Sequence, residues 1–319
     1  MNNDTVAVLM ATHNGEAYLS SQIESILSQT YSDWTLTISD DLSSDQTRDI
    51  IKRYAFGNSK IDLLDVANEP LGAKANFARL IRQRSDARYA MFCDQDDVWD
   101  TNKIELTMRE MQRLEKQHGS EVPLLVFTDM RVVDSNQKQI DASFEAYSRL
   151  DPSRVEFNQL LAQSVAAGCT MMANQPLLVL FNETENLEMV IMHDWWLSLI
   201  ASAFGFIGHV DDATSSYRQH DSNAIGASKY SLKRAVRSIG NMTQRIQKTI
   251  TQAQLFERIY GSKLDSESLR LLKKYISIVN TANPAKRLFL LNRSGALKYG
   301  ARKIGQILAV LFLSKSNPC

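Results

Sequence analysis

Between residues 6 and 127 the chain alternates short apolar runs with longer segments whose apolar residues recur every three to four positions. No other feature narrows the fold as much. Residues 6–12, Val-Ala-Val-Leu-Met-Ala-Thr, have no polar face, as a strand covered on both sides requires. In residues 16–29, Tyr18, Leu19, Ile23, Ile26 and Leu27 fall on one helical stripe. Further strands are expected at 34–39, 61–66, 89–93 and 124–127. Helices are expected at 44–54, with Ser44 as capping candidate, at 72–84, and at 100–117, where Ile104, Met108, Met111 and Leu114 share a face. This order predicts an α/β fold, a doubly wound, mostly parallel sheet with helices on both faces.

The second half is less regular. Residues 134–152 read as a long polar loop. Helical segments at 155–163 and 175–181 flank a short strand at 169–173, an apolar helix covers 193–204, and residues 206–217 resemble a pair of short strands. Past residue 228 the chain becomes basic and helical. The expected division is therefore a catalytic domain at 1–228 and a basic helical region at 229–319.

The formal net charge of zero conceals this split. Residues 229–319 carry 18 Lys and Arg against Glu257, Asp265 and Glu267, a net +15, so the remainder carries −15. Near the end, Ile304, Ile307, Leu308, Leu311 and Phe312 recur at helical spacing behind Arg293, Lys298, Arg302 and Lys303. That pattern suits a helix lying in an anionic membrane interface. It suits equally a helix packed on the catalytic domain or on a second subunit of a homo-oligomer. A nucleic-acid partner is disfavoured, because the first half is acidic where a binding face is positive.

Apolar residues make up 44% and charged residues 23%, which excludes a disordered or fibrous chain. Cys93, Cys169 and Cys319 form neither a disulfide framework nor a zinc spacing, as in a reducing cytoplasm. Residues 1–5 lack the charged and apolar regions of a signal peptide, and the apolar stretch 304–313 is too short to span a bilayer.

In an open α/β sheet, ligands bind beyond the carboxyl ends of the strands. Two acidic clusters fall there: Asp40-Asp41 with Asp45 after the second strand, and Asp94-Gln95-Asp96-Asp97 after the fourth. Carboxylates converging on one cleft repel each other and are costly to desolvate, and a divalent cation removes that cost. Asp-x-Asp offers the hard oxygens that Mg²⁺ or Mn²⁺ prefers, and such an ion neutralises a diphosphate leaving group. The plainer reading of such acids is helix capping, by Asp97 or Asp100 ahead of the helix near Thr101.

Six segments, in order between about residues 6 and 226, then carry a resemblance. Thr12-His13-Asn14-Gly15-Glu16 resembles a T-x-N-G opening. Asp40-Asp41-Leu42-Ser43-Ser44-Asp45-Gln46-Thr47 resembles D-D-G-S-x-D-x-T, with Leu42 in the glycine position. Asn68-Glu69-Pro70-Leu71-Gly72 with Asn76-Phe77 resembles N-x-G-x-x-x-N. Asp94-Gln95-Asp96-Asp97-Val98-Trp99 resembles D-Q-D-D-I/V-W, and His193-Asp194-Trp195 and Tyr217-Arg218-Gln219-His220 resemble H-D-W and Y-R-Q-H. Together they resemble family 2 glycosyltransferases of the GT-A fold, the last two segments being typical of the bacterial rhamnosyltransferase branch.

The resemblance implies an inverting transfer of a sugar, rhamnose from dTDP-rhamnose foremost, onto a cell-wall or surface polysaccharide acceptor. A lipid-linked acceptor would place the chain on the inner face of the cell membrane. The resemblance puts Thr12, Asn14, Glu16, Asp41, Asp94 and Gln95 at the nucleotide or donor, with Lys74 beside them. It puts Asp96 and His220 at the metal. Arg218 would pair with a phosphate. Asp194, in the first turn of its helix, fits the base that deprotonates the acceptor hydroxyl, its plainer role being that of an acid favoured by the helix dipole. Of Trp195 and Trp196, one would stack on a sugar face and the other enter the core.

A UDP-hexose donor is the nearest alternative, and a sugar nucleotidyltransferase a more distant one. The latter would carry a Gly-rich, Arg-containing loop after the first strand, where this chain has Ala11-Thr12-His13-Asn14-Gly15. No G-x-G-x-x-G or P-loop pattern points to a dehydrogenase or kinase.

Overall fold

A computed structural model describes residues 4–219 and 239–313 of the 319-residue chain. Its first half follows the alternation: β1 (Val6–Thr12), α1 (Leu19–Leu27), β2 (Trp34–Asp40), α2 (Thr47–Ala55), β3 (Ile61–Leu63), α3 (Gly72–Gln83), β4 (Tyr89–Asp94), a two-residue β5 (Val98–Trp99) and α4 (Lys103–His118). The expected cap at Ser44 is not used. Helix α2 starts at Thr47 without a side-chain cap, and the Ser44 N–H is donated to Asn14 Oδ1 instead. Neither acid caps α4 by its side chain: Asn102 occupies that position, Asp100 pairs with Arg131, and Asp97 turns inward.

The second half continues with β6 (Leu124–Val133), β7 (Gln139–Asp141), α5 (Phe144–Ser148), α6 (Phe157–Leu160), β8 (Met171–Asn174), α7 (Gln175–Asn182), α8 (His193–Phe204) and β9 (Phe206–Arg218). The stretch read as a loop at 134–152 thus holds a short strand and a helix. The pair of strands expected at 206–217 is a single strand, which keeps its pairing with β6 through register shifts near Thr128 and Asp129. A bulge of this kind lets one strand bend where two straight ones would otherwise be needed.

The sheet order is β3-β2-β1-β4-β8-β6-β9-β5, with β7 beside β6. The longer pairings, β2–β1–β4 and β6–β9, are parallel, while β8, β5 and β7 join antiparallel. Residues of β1 alternate between two cores, because successive side chains of a strand face opposite sides. Val6, Val8 and Met10 pack with α1, α2 and α4, whereas Ala7 and Leu9 pack with α3, α7 and α8. With both faces buried, the run could not be amphipathic.

Four more helices follow: α9 (Ile239–Tyr260), α10 (Ser266–Asn280), α11 (Pro284–Ser294) and α12 (Arg302–Leu311). They add to the α3–α8 side, and one apolar cluster runs from Ala7 through Phe256 and Tyr275 to Val310. Helix α8 ends at Gly205, where a β-carbon would lie 1.7 Å from the Pro123 carbonyl oxygen. No helix among the described residues is long and apolar enough to cross a membrane.

Candidate active site

A cleft of about 480 Å³ opens at the carboxyl ends of β1, β2 and β4. Thr12, Asp41, Asp94, Gln95, Asp96 and Asp194 all line it. These are six of the residues singled out from the sequence, drawn from four separate stretches of chain. The parallel register does this: Thr12 stands beside Asp40 and Ala11 beside Asp94, so the loops that follow emerge on one edge.

The two acidic clusters divide their labour. Asp40 turns away from the cleft, accepts hydrogen bonds from Thr12 Oγ1 at 3.0 Å and Ser43 Oγ at 2.6 Å, and pairs with Arg48. Asp41 faces the cleft but spends both oxygens on the backbone N–H groups of Leu71 (2.7 Å) and Gly72 (2.8 Å), fixing the start of α3. Directly after them, Leu42 has φ +57°, the left-handed backbone that a glycine would take without strain. The loop holds its shape nonetheless through Ser43 and Ser44, which bond to Asp40 and Asn14.

Asp94, the last residue of β4, and Asp96, in the loop that follows, line the cleft. Burial pushes the Asp94 carboxyl well above its ordinary range, with the charges of Asp97, Asp96 and Asp194 adding to the shift. Asp97 lies behind, 1% exposed, where burial and Asp96 raise it to about 7. The buried Lys103 nearby is lowered to about 8 by desolvation.

The donor set suits a hard cation. Two cleft carboxylates whose charges destabilise each other are relieved by Mg²⁺ or Mn²⁺. Cys169 lies within 4.8 Å of Asp94 and Asp97, but burial holds its thiol protonated, so it forms wall rather than ligand. His220 lies outside the described residues.

Asp194 sits in the first turn of α8. Its Oδ2 accepts the Gly168 N–H at 3.0 Å and its Oδ1 the Trp195 N–H at 2.6 Å. Desolvation raises it to about 6, the two N–H groups pulling the other way. The group is therefore ionised at neutral pH yet basic enough to take a proton.

Several side chains expected at the donor make their contacts within the protein. Asn14 and Glu16 do not line the cleft: Asn14 accepts from Ser44, and Glu16 exchanges hydrogen bonds with the Asp45–Gln46 turn, so both stitch the β1 and β2 loops together. Gln95 lines the cleft, but its amide pairs with both the N–H and the carbonyl of His13 at 2.9 Å. Lys74 also lies off the cleft, its ammonium donating to the carbonyls of Val190 and Glu188.

Arg218, expected at a phosphate, is 6% exposed. It bonds the Asp96 and Ser135 carbonyls and lies 4.6 Å from the Tyr18 ring. It holds the loop that carries Asp96 in place. Trp196 is fully buried between Phe256 and Tyr260, its indole N–H on Thr184, and cannot reach a sugar. Trp195 gives its indole N–H to the Leu160 carbonyl and borders a second cavity instead.

The structure adds residues with weak sequence signals. His193 stacks on Phe77 at 4.1 Å and lines the cleft, and burial lowers it to about 3, so its ring is neutral. Asn76 donates to the Ser39 carbonyl while its buried Oδ1 has no partner among the described residues. Both belong to segments the resemblance covers, Asn76-Phe77 and His193-Asp194-Trp195, but only their position in the fold shows that they face the cleft.

A curled, mostly parallel sheet with an acidic cleft at its strand ends, lined by Asp94, Asp96 and Asp194, is the arrangement of a glycosyltransferase of the GT-A type. The family model "Glycosyl transferase family 2" matches residues 7–121. The dTDP-rhamnosyl transferase RfbG of Shigella flexneri is 30% identical over 231 residues, covering 68% of this chain and 74% of that protein. A UDP-Glc:alpha-D-GlcNAc-diphosphoundecaprenol beta-1,3-glucosyltransferase of Escherichia coli, WfgD, is 30% identical over 203 residues, covering 63% and 71%. Among solved structures, the mannosyltransferase PcManGT from Pyrobaculum calidifontis, in complex with GDP-Man and Mn²⁺, shares the fold with a TM-score of 0.51 at 16% identity, over 97% of this chain and 85% of that one. The chain belongs to glycosyl transferase family 2.

Proposed function

We propose that this glycosyltransferase moves L-rhamnose from dTDP-rhamnose, with inversion and with help from Mg²⁺ or Mn²⁺, onto a lipid-linked glycan acceptor at the inner face of the cell membrane. The observation that carries the mechanism is the shared cleft of Asp94, Asp96 and Asp194. Inverting transfer is one displacement in which the acceptor hydroxyl attacks the anomeric carbon as the nucleoside diphosphate leaves. Asp194 takes the hydroxyl proton. Its two backbone N–H bonds leave each oxygen a free lone pair while fixing the direction of the carboxylate.

On the donor side, Thr12 and Asp41 line the region where the base and ribose would lie, and the open Oδ1 of Asn76 offers one acceptor there. Asp94 and Asp96 would hold the cation, which supplies charge neutralisation for the departing diphosphate. Arg218 acts through the Asp96 loop rather than on the phosphate.

RfbG supports the rhamnose donor. WfgD favours the second reading, a UDP-hexose donor, at equal identity over a shorter span. Its acceptor, a lipid diphosphate sugar, supports the membrane location. So do Phe289, Ile304 and Phe312, each more than half exposed on the basic helices. A thermal-shift screen of dTDP-, UDP- and GDP-sugars with Mn²⁺ tests the donor, because a ligand bound to the folded state raises its melting temperature. Stabilisation by dTDP-rhamnose above the others is expected. Stabilisation by UDP-hexoses alone selects the second reading.

A further inference from the structure

A second cavity of about 450 Å³ adjoins the catalytic cleft, and Leu150 and Ser164 line both. Its size falls within the roughly 300–1,000 Å³ typical of ligand pockets. Trp195, next to Asp194 in the chain, and Ile191, three residues before it, form part of its wall, yet none of the strand-end aspartates borders it. Among its described lining residues are four cations, Arg245 and Lys248 from α9, Lys298 from the segment between α11 and α12 and Arg302 at the start of α12, and no carboxylate.

That composition is unusual for a protein surface, where charges of both signs are interspersed. Arg302 is held by the carbonyls of Ser148 and Arg149 at the end of α5. The Lys298 backbone is held by Gln306, which in turn donates to the Ala296 carbonyl. Burial and the facing guanidinium groups of Arg245 and Arg302 lower the Lys298 ammonium to about 8. Cations gathered around a cavity with no carboxylate among its described lining residues repel one another, and an anion entering the cavity relieves that repulsion.

We propose that this cavity binds a phosphate or diphosphate group carried by the acceptor. The inference rests on reading Asp194 as the base, because the base marks the side from which the acceptor arrives. The donor's own diphosphate belongs with Asp94 and Asp96, in the other cavity. A phosphate seated among Arg245, Lys248 and Lys298 would hold the acceptor's first sugar beside Trp195 and direct a hydroxyl at Asp194. Guanidinium groups suit the role, since their planar donors match phosphate oxygens two at a time.

The test uses the full chain in EDTA, so that no cation recruits phosphate to the aspartates, with inorganic pyrophosphate as probe in isothermal titration. Wild type should bind it, and Arg245→Gln/Lys298→Gln should weaken binding at least tenfold, while Asp194→Asn leaves it unchanged. Binding of dTDP with Mn²⁺ is measured in parallel. Its retention in the double variant separates this site from the donor site, and its loss from wild type would count against the glycosyltransferase reading alone. Lys248→Gln, a single change at the rim, gives a second reading should the double variant unfold. Absence of pyrophosphate binding to wild type, or equal binding by the variants, overturns the proposal. Co-sedimentation with phosphatidylglycerol vesicles forms the last arm. If the variants lose vesicle binding but keep pyrophosphate binding, the cations serve a membrane surface and the proposal also fails.

Discussion

Asp194 Oδ2 accepts the backbone N–H of Gly168 at 3.0 Å, and a β-carbon on Gly168 would lie 3.4 Å from the Asp194 Cβ and 3.0 Å from the His193 Nε2. The proposed base is therefore aimed by a residue that has no side chain to spare. Gly168→Ala should shift the carboxylate by a few tenths of an ångström and lower kcat by about tenfold, since misplacing a catalytic group by 1 Å costs about a hundredfold. Donor binding should not change. Steady-state kinetics with nucleotide titration checks both, and an unaltered kcat would show that this contact does not aim the base.

Asp194→Asn should abolish transfer while nucleotide affinity stays at the wild-type level. The pH dependence follows from its burial. The carboxylate is protonated below about pH 6, so kcat/KM should fall about tenfold per unit beneath that value. Stability moves the opposite way: the folded state holds this proton more tightly than the unfolded chain, so burying Asp194 costs stability above about pH 6 and the cost disappears as pH falls. His193 works against it, its depressed value removing stability as pH drops from 6.5 toward 3. An acid limb near pH 4 in the rate profile would contradict the assignment.

The crowding of Asp94, Asp96 and Asp97 predicts a cation response that needs no turnover. Mn²⁺ should raise the melting temperature of the wild-type chain, and Asp96→Asn should raise it in EDTA but blunt the Mn²⁺ effect. Transfer should stop in EDTA and return with Mg²⁺ or Mn²⁺. Full activity in chelator would remove the metal from the mechanism.

Leu42 holds a left-handed backbone that costs a branched residue about 1–2 kcal/mol, partly offset by the roughly 0.5–1 kcal/mol entropic penalty of glycine. Leu42→Gly should therefore be neutral or stabilise the protein by up to about 1 kcal/mol. Chemical denaturation decides this, and a clear loss would mean that the half-exposed Leu42 side chain contributes packing.

Trp196 is expected to matter for folding alone. Trp196→Ala opens a cavity against Phe256 and Tyr260 and should cost about 3–5 kcal/mol. Residual folded protein should keep wild-type KM for the donor. A raised donor KM with unchanged stability would return Trp196 to the site.

The β-α-β-α half of the fold was legible because a strand buried on both faces and a helix buried on one leave different periods in the chain, as Val6–Thr12 and the Leu19–Ile26 stripe do. The strand-end aspartates followed from the same local order, since parallel register carries Asp41, Asp94 and Asp96 to one edge whatever else the chain does. Which atoms remain open to a ligand was not legible. Asn14, Glu16, Lys74 and Arg218 have the right chemistry, but their side chains hydrogen-bond to segments up to 197 residues away in sequence.

The same holds for the tryptophans and the basic tail. Residue identity and spacing placed Trp195 and Trp196 on one helix and assigned +15 to the last 91 residues. Only the packing of α9–α12 against α8 decided that Trp196 is core, that Trp195 borders a second cavity, and that four of those cations face it. Periodicity records how much of each side chain is hidden. What hides it depends on contacts between distant segments, and these are fixed by the summed burial of the whole chain rather than by any local run.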